Sequence, residues 1–224
     1  MPPIMDMFDE RAEGDGGYPF TEDLEMINPA YFDMADLRIQ HLIEEGLVPC
    51  IFGGWGFNIL EMEISQMKKY WRYIIARWGA YPVLWSLAGE GDLPWYTSKT
   101  KQEDKQLMRE RWTELAQYVK EIDAFNRPLT THPCVFKEKS RMASNIIDKP
   151  ELLDFDMLQT GHYVNDSIPR SINSVREAAA KDTHPMPVLN GEVTYEGVFK
   201  SSPASQQRFI FWACILNGAL AGHT

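Results

Sequence analysis

The sequence predicts an α/β fold, a (β/α)8 TIM barrel present in part, and three observations carry that expectation. Short apolar runs of strand length alternate with longer segments of helical period, the signature of parallel βαβ units. No Gly-rich phosphate loop follows any of those runs, as a dinucleotide-binding sheet would require. Gly53-Gly54-Trp55-Gly56 is the nearest match, and its Trp would obstruct a pyrophosphate. Acids, histidines and aromatics cluster just past the ends of the runs, where barrel enzymes keep their working groups.

Residues 1–27 are rich in Gly, Pro and acids and read as an irregular loop. Asn28-Pro29 opens a helix with a capping residue and Pro at the first turn; Phe32, Ala35, Ile39, Leu42 and Ile43 form its apolar face. Gly46 stops it. Leu47–Phe52 is a buried-strand pattern ended by Gly53-Gly54. Met67, Tyr70, Trp71, Ile74, Ile75 and Trp78 mark the next helix, and Pro82–Ala88 the next strand. Met108, Trp112, Leu115, Val119 and Ile122 mark a third helix, followed by strand Pro128–His132. Strand Asp154–Gln159, helix Ser171–Lys181 and strand Pro187–Asn190 come next, then a helix with Phe209, Trp212, Ala213 and Leu216, and a final run from Ala219 to Thr224. Trp71, Trp78, Trp112 and Trp212 sit at helical spacing among apolar residues and are read as core.

A closed barrel of this class has eight strands, and about six are legible. The chain, 1–224, is therefore read as one partial barrel domain. It lacks a first β-α-β region and a last helix, and 1–27 forms the loop after the missing second strand. The formal net charge of -10 argues against nucleic acid and anionic membranes as partners, since both demand Lys and Arg. No apolar run is long enough to span a bilayer. The first residues lack the basic and apolar regions of a signal peptide, so a cytoplasmic location is slightly favoured, with a secreted parent protein as the other option. Cys50, Cys134 and Cys214 have neither paired nor metal-like spacing, and Cys50 and Cys214 are read as buried thiols.

Side chains alternate along a strand, so Ser86, Ala88 and Glu90 share one face, opposite Val83, Trp85 and Leu87. The small set suits a barrel interior, which points Glu90 into the mouth. By the same alternation Val188, Asn190 and Glu192 share a face, making Glu192 a second strand-end acid, preceded like Glu90 by a glycine. Converging carboxylates from separate strands are what glycoside hydrolysis requires: an acid for the leaving oxygen, and a base or nucleophile opposite. Glu196, further into the loop, is read as a substrate-binding or supporting group.

Several segments resemble the apiosidase-like glycoside hydrolases. They are Asn28-Pro-Ala-Tyr-Phe32, Tyr70-Trp-Arg-Tyr73 with Arg77-Trp-Gly-Ala-Tyr-Pro82, Trp85-Ser-Leu-Ala-Gly-Glu90, Asn190-Gly-Glu-Val-Thr-Tyr-Glu-Gly197, and Phe211-Trp212 through Ala221-Gly-His-Thr224. The resemblance covers Asn28 to Thr224 in order. It implies a bacterial (β/α)8-barrel enzyme associated with breakdown of plant polysaccharide. It implies an acid after barrel strand four as general acid/base, which falls on Glu90, and a glutamate after strand seven as nucleophile, which falls on Glu192. Family members acting on apiose can carry Asp at the first position, so Glu90 leaves apiose itself in doubt. Gly89 stands where related retaining barrels carry Asn. The expected reaction is O-glycosidic cleavage of a plant-type or microbial glycan by a retaining mechanism, with no cofactor and a carbohydrate partner.

Substrate contacts are expected from the strand-end aromatics Trp55, Trp95, Tyr96 and Tyr195, from Asn190 and Glu196, and from the strand-end histidines His132, His162 and His223. A metal-dependent hydrolase would instead want paired histidines on one strand or at one-turn spacing, and neither pattern occurs. The remaining alternatives are a non-catalytic carbohydrate-binding barrel and an inactive fragment.

Overall fold

The structure, a computed structural model, describes residues 8–94, 98–134, 142–161, 164–197 and 202–220. Asn28 caps the first helix, α1 (Pro29–Glu44), through its side-chain oxygen, which accepts from Ala30 N–H at 3.1 Å. Gly46 follows with φ +79°, the left-handed turn that only glycine adopts freely. Then come β1 (Cys50–Phe52), a one-turn helix α2 (Asn58–Glu61), α3 (Ile64–Trp78) and β2 (Leu84–Ser86). The long α4 (Lys101–Ile122) leads to β3 (Leu129–Thr130) and β4 (Asp156–Gln159), and α5 (Val164–Ala179), β5 (Val188–Glu192) and α6 (Ala204–Leu216) complete the order.

All strand pairs are parallel. β1, β2 and β3 form one sheet in sequence order, and β4 and β5 form a second. Helices α3 and α4 pack on the first sheet, α5 and α6 on the second. Trp71 of α3, Trp85 of β2 and Trp112 of α4 are fully buried between sheet and helices, with the Trp71 and Trp85 rings edge-on at 5.9 Å. Each polar handle of the latter two is used: Trp85 Nε1 donates to Asp123 Oδ2 at 3.0 Å and Trp112 Nε1 donates to Gly91 O at 2.8 Å. Burial of large aromatic area thus fixes the helix layer, while their N–H groups grip neighbouring loops.

The expected closed barrel is not what the described residues form: they contain five strands in an open arrangement. The break between β3 and β4 has a local cause. Asp154 N–H donates to Leu129 O at 2.8 Å, joining the sheets once. Leu129 N–H then bonds the Asp154 carboxylate at 2.7 Å instead of a strand carbonyl. Phe155 O in turn accepts from the Thr130 hydroxyl at 2.8 Å. Side chains replace ladder partners, so the two sheets abut without a continuous ladder. The expected sixth strand lies largely outside the described residues. Leu220 N–H at its start donates to Val188 O at 2.7 Å, on the free side of β5.

Other expectations shift in detail. α5 begins seven residues before the expected Ser171, carrying Pro169 inside it. Trp212, expected in the core, is 58% exposed. α6 is apolar on both sides: Ile210 and Cys214 face α5 and β5, whereas Phe209, Trp212, Ala213 and Leu216 line an open groove. A helix apolar all round gives no periodicity from which to choose its inner face.

Because the Asp154 carboxylate replaces a missing ladder acceptor, Asp154→Ala should leave Leu129 N–H unpaired and weaken the junction. A loss of about 1–2 kcal/mol is expected by urea unfolding. An unchanged midpoint would show that the sheets are held together elsewhere.

Candidate active site

The C-terminal ends of the strands bring Glu90, His132, Gln159 and Glu192 together. Glu90 follows β2 with φ +48°, in the left-handed region that non-glycine residues rarely occupy. The neighbouring chain holds that turn: Gly91 N–H donates to His132 O at 2.8 Å, and His132 N–H donates to Ala88 O at 3.0 Å. The Trp112 indole bonds the Gly91 carbonyl as above. Asp92, next in the loop, accepts from Cys134 N–H at 2.9 Å.

His132 lies between the acids and is nearly fully buried. Its Nδ1 accepts from Glu90 N–H at 3.5 Å, and its Nε2 lies 3.1 Å from Glu192 Oε2. An accepting Nδ1 puts the proton of a neutral ring on Nε2, which therefore donates to Glu192. Tyr195 Oη donates to the other oxygen, Glu192 Oε1. Two donors on one carboxylate favour its ionised form. The Tyr195 hydroxyl, partly buried against that anion, is pushed well above its ordinary range.

Glu90 sits in the opposite kind of surroundings. Burial raises its carboxyl above the ordinary glutamate value, and the nearby Glu192 charge pushes the same way. Gln159 Nε2 donates to Glu90 Oε1 at 3.4 Å, and the Cys134 thiol also bonds this carboxylate; both oppose the rise without cancelling it. The surroundings of Glu90 thus favour its protonated form more than water does.

Gln159 is the ladder partner of Glu192, and the register shifts between Leu158 and Gln159. The expected alternation on β5 fails at that irregularity. Leu158 pairs with Asn190 and Gln159 with Glu192, which leaves Gly191 as an extra residue, a β-bulge. A Cβ on Gly191 would lie 2.7 Å from Met157, so no larger side chain fits there without displacement. Asn190, expected beside the substrate with Glu192, points instead into the α5–α6 layer. Its amide donates to Thr160 Oγ1 at 3.0 Å, Ser171 Oγ at 3.3 Å and Cys214 Sγ at 3.5 Å, and the residue is fully buried.

Glu192, Tyr195, Glu196 and Gln207 line an open cavity of ≈ 510 Å³ beside β5; Glu196 and Tyr195 are exposed on its rim. Trp55 lies past the end of β1, bridged to Gly89, and is 40% exposed. Trp95, Tyr96, His162 and His223 lie outside the described residues. Among the described residues no group of His, Cys, Asp and Glu is arranged to hold a metal ion. The sequence reading missed Gln159 and Cys134. Gln159 ends an apolar strand as Glu90 does, and the same strand-end rule would have found it. Cys134 carried no such signal.

The described residues thus form a parallel α/β fold with two carboxylates, Glu90 and Glu192, brought together at its strand ends. The chain belongs to the apiosidase-like catalytic domain family, which matches residues 6–224. It is similar in fold to a solved structure of a candidate glycoside hydrolase from Bacteroides vulgatus ATCC 8482, with a TM-score of 0.62 at 22% sequence identity. That match covers 92% of this chain and 40% of the other, so the chain spans well under half of that protein's length. No curated protein sequence matches it.

The raised Glu90 carboxyl also bears on stability. The folded chain holds this proton more tightly than the unfolded chain does. The associated stabilisation is full below the ordinary glutamate range and is lost as pH rises through the raised value. Glu90→Gln, neutral at every pH, should therefore raise Tm at pH 7, on the order of 2–4 °C, and change it little at pH 4. Thermal scans at both pH values check this; a lower Tm at pH 7 would contradict the burial argument.

Proposed function

We propose that the chain is the catalytic part of a retaining glycoside hydrolase acting on a plant-type or microbial glycan. Glu90 is its general acid/base and Glu192 its nucleophile. The observation that supports this reading is the pairing of two strand-end carboxylates around His132: burial raises Glu90 although Gln159 and Cys134 donate to it, whereas Glu192 is met by the Tyr195 hydroxyl and His132 Nε2. One is suited to remain an anion and the other to keep its proton, which is the division of labour that glycoside cleavage needs. Family membership supports the same reading.

In the first step a Glu192 oxygen attacks the anomeric carbon. The bond from that carbon to the glycosidic oxygen breaks, and the oxygen takes the Glu90 proton. In the second step Glu90, now ionised, removes a proton from water. The water oxygen attacks the anomeric carbon, the ester bond to Glu192 breaks, and the Glu90 proton is restored. Tyr195 and His132 orient the Glu192 carboxylate and offset its charge before attack, while Glu196 and Trp55 offer sugar contacts at the rim. The left-handed turn at Glu90 supports the reading as well, since such backbone strain persists where surrounding bonds over-determine it. For architecture we adopt a partial (β/α)8 barrel. Among the described residues, neighbouring strands follow chain order within each sheet, with no reversal of the kind that marks a doubly wound sheet.

Hydrolysis of an aryl-glycoside panel tests the proposal. Glu192→Gln should lose turnover with every substrate. Glu90→Gln should lose about 10²–10⁴-fold on substrates whose leaving group needs a proton, much less on 4-nitrophenyl glycosides, and should lose the alkaline limb of the kcat/KM profile. EDTA should change nothing. Sugar binding without turnover in wild type would favour a binding module, and loss of turnover on chelation a metal-dependent enzyme.

A further inference from the structure

The Gly53-Gly54-Trp55-Gly56 run after β1 has no part in the acid chemistry, yet it is built against the Glu90 loop. Gly89 N–H donates to Gly54 O at 2.9 Å, and Gly56 N–H donates to Gly89 O at 2.7 Å, on either side of the Trp55–Gly89 bridge. The approach is closer than side chains permit. A Cβ on Gly56 would lie 2.1 Å from Glu90 O, and a Cβ on Gly89 would lie 2.7 Å from the Trp55 ring. The indole therefore occupies the space that a side chain at position 89 would take. Asn58 Oδ1 accepts from Trp55 N–H at 2.6 Å and pins the backbone beneath the ring. The result is a large aromatic side chain, fixed at its backbone and along one ring edge, that is still 40% exposed.

We infer that Trp55, seated on Gly89, is the platform against which the departing group of the substrate stacks. The site then prefers leaving groups that present a flat ring face, sugar or aryl, over short alkyl groups. This rests on the glycosidase reading above, and strand order gives the direction. Trp55 follows β1 and Glu90 follows β2; His132, Gln159 and Glu192 come from β3, β4 and β5. Glu192 attacks the anomeric carbon and Glu90 protonates the glycosidic oxygen, so the transferred sugar lies between the two acids. The departing group lies beyond Glu90. In chain and sheet order Trp55 is the next group past Glu90 on the side away from Glu192. An indole face stacks on aromatic rings and on the apolar C–H face of a sugar ring; a methyl group covers little of it. Gly89 is part of the device, because any side chain there would push the ring off its seat.

Binding to the full-length Glu192→Gln variant tests this without turnover. Isothermal titration would compare 4-nitrophenyl and methyl glycosides of the same sugars, taken from a panel of pentoses and hexoses. For the sugar that binds, the 4-nitrophenyl member should bind about tenfold more tightly than the methyl member. Adding Trp55→Ala should abolish that preference; adding Trp55→Phe should keep most of it. A preference that survives Trp55→Ala, no preference at all, or no binding by any pair would overturn the inference. Wild-type hydrolysis separates the two readings. Turnover without aryl preference would sink the platform alone. A preference lost in Trp55→Ala without any wild-type hydrolysis would show stacking on Trp55 but sink the glycosidase, and with it the departing-group role.

Discussion

The His132 imidazole is the joint around which the site is organised. A neutral ring has one accepting and one donating nitrogen, and here they serve different acids: Nδ1 takes the Glu90 backbone N–H and Nε2 meets the Glu192 carboxylate. One buried side chain thereby sets the relative placement of two loops that follow strands far apart in the sequence. Its own position is set by the backbone bonds between the ends of β2 and β3, from Ala88 to Gly91 on one side and His132 on the other. The Phe52 ring packs edge-on against the imidazole at 5.8 Å and further limits its rotation. Through its Nδ1 and Nε2 contacts the imidazole ties the Glu90 backbone to the Glu192 carboxylate.

Two glycine-dependent features then give each acid its environment. At Gly191 the extra residue in β5 reverses the facing of the strand. Asn190 braces the helix layer while Glu192, two residues later, turns to the side of Gln159 and Glu90. Around Glu90 the three glycines at 54, 56 and 89 let the β1 loop approach the β2 loop at backbone contact. The close approach buries the carboxyl's surroundings and seats the Trp55 ring. Both are places where a missing side chain, not a present one, creates the geometry.

Much of the scaffold was legible because it follows from period and punctuation. Met67, Tyr70, Trp71, Ile74, Ile75 and Trp78 are buried as their spacing requires, and the Asn28-Pro29 start and Gly46 stop of α1 fall where capping chemistry puts them. α6 was legible as a helix but not in orientation, since residues apolar on both sides leave Trp212 free to be inside or outside. Asn190 was misplaced because period-two alternation holds only while the ladder is regular, and a bulge is invisible without the partner strand. Gln159 was legible as a strand-end residue, but its bond to Glu90 exists only once the strands are brought together.

The sequence by itself determined the helix and strand order, the parallel α/β class, and two glutamates at strand ends as the residues to watch. Those features depend on neighbours within a few positions, where hydrophobic period and turn chemistry act. Tertiary structure alone decided which face of β5 turns inward, which side of α6 is buried, and where β3 and β4 part. It also decided that Glu192 meets Tyr195 and His132, while Glu90 is buried beside Gln159, Cys134 and a like charge. Those outcomes depend on hydrogen-bond register and local dielectric, and both are set by residues brought together only when the sheets and helices pack.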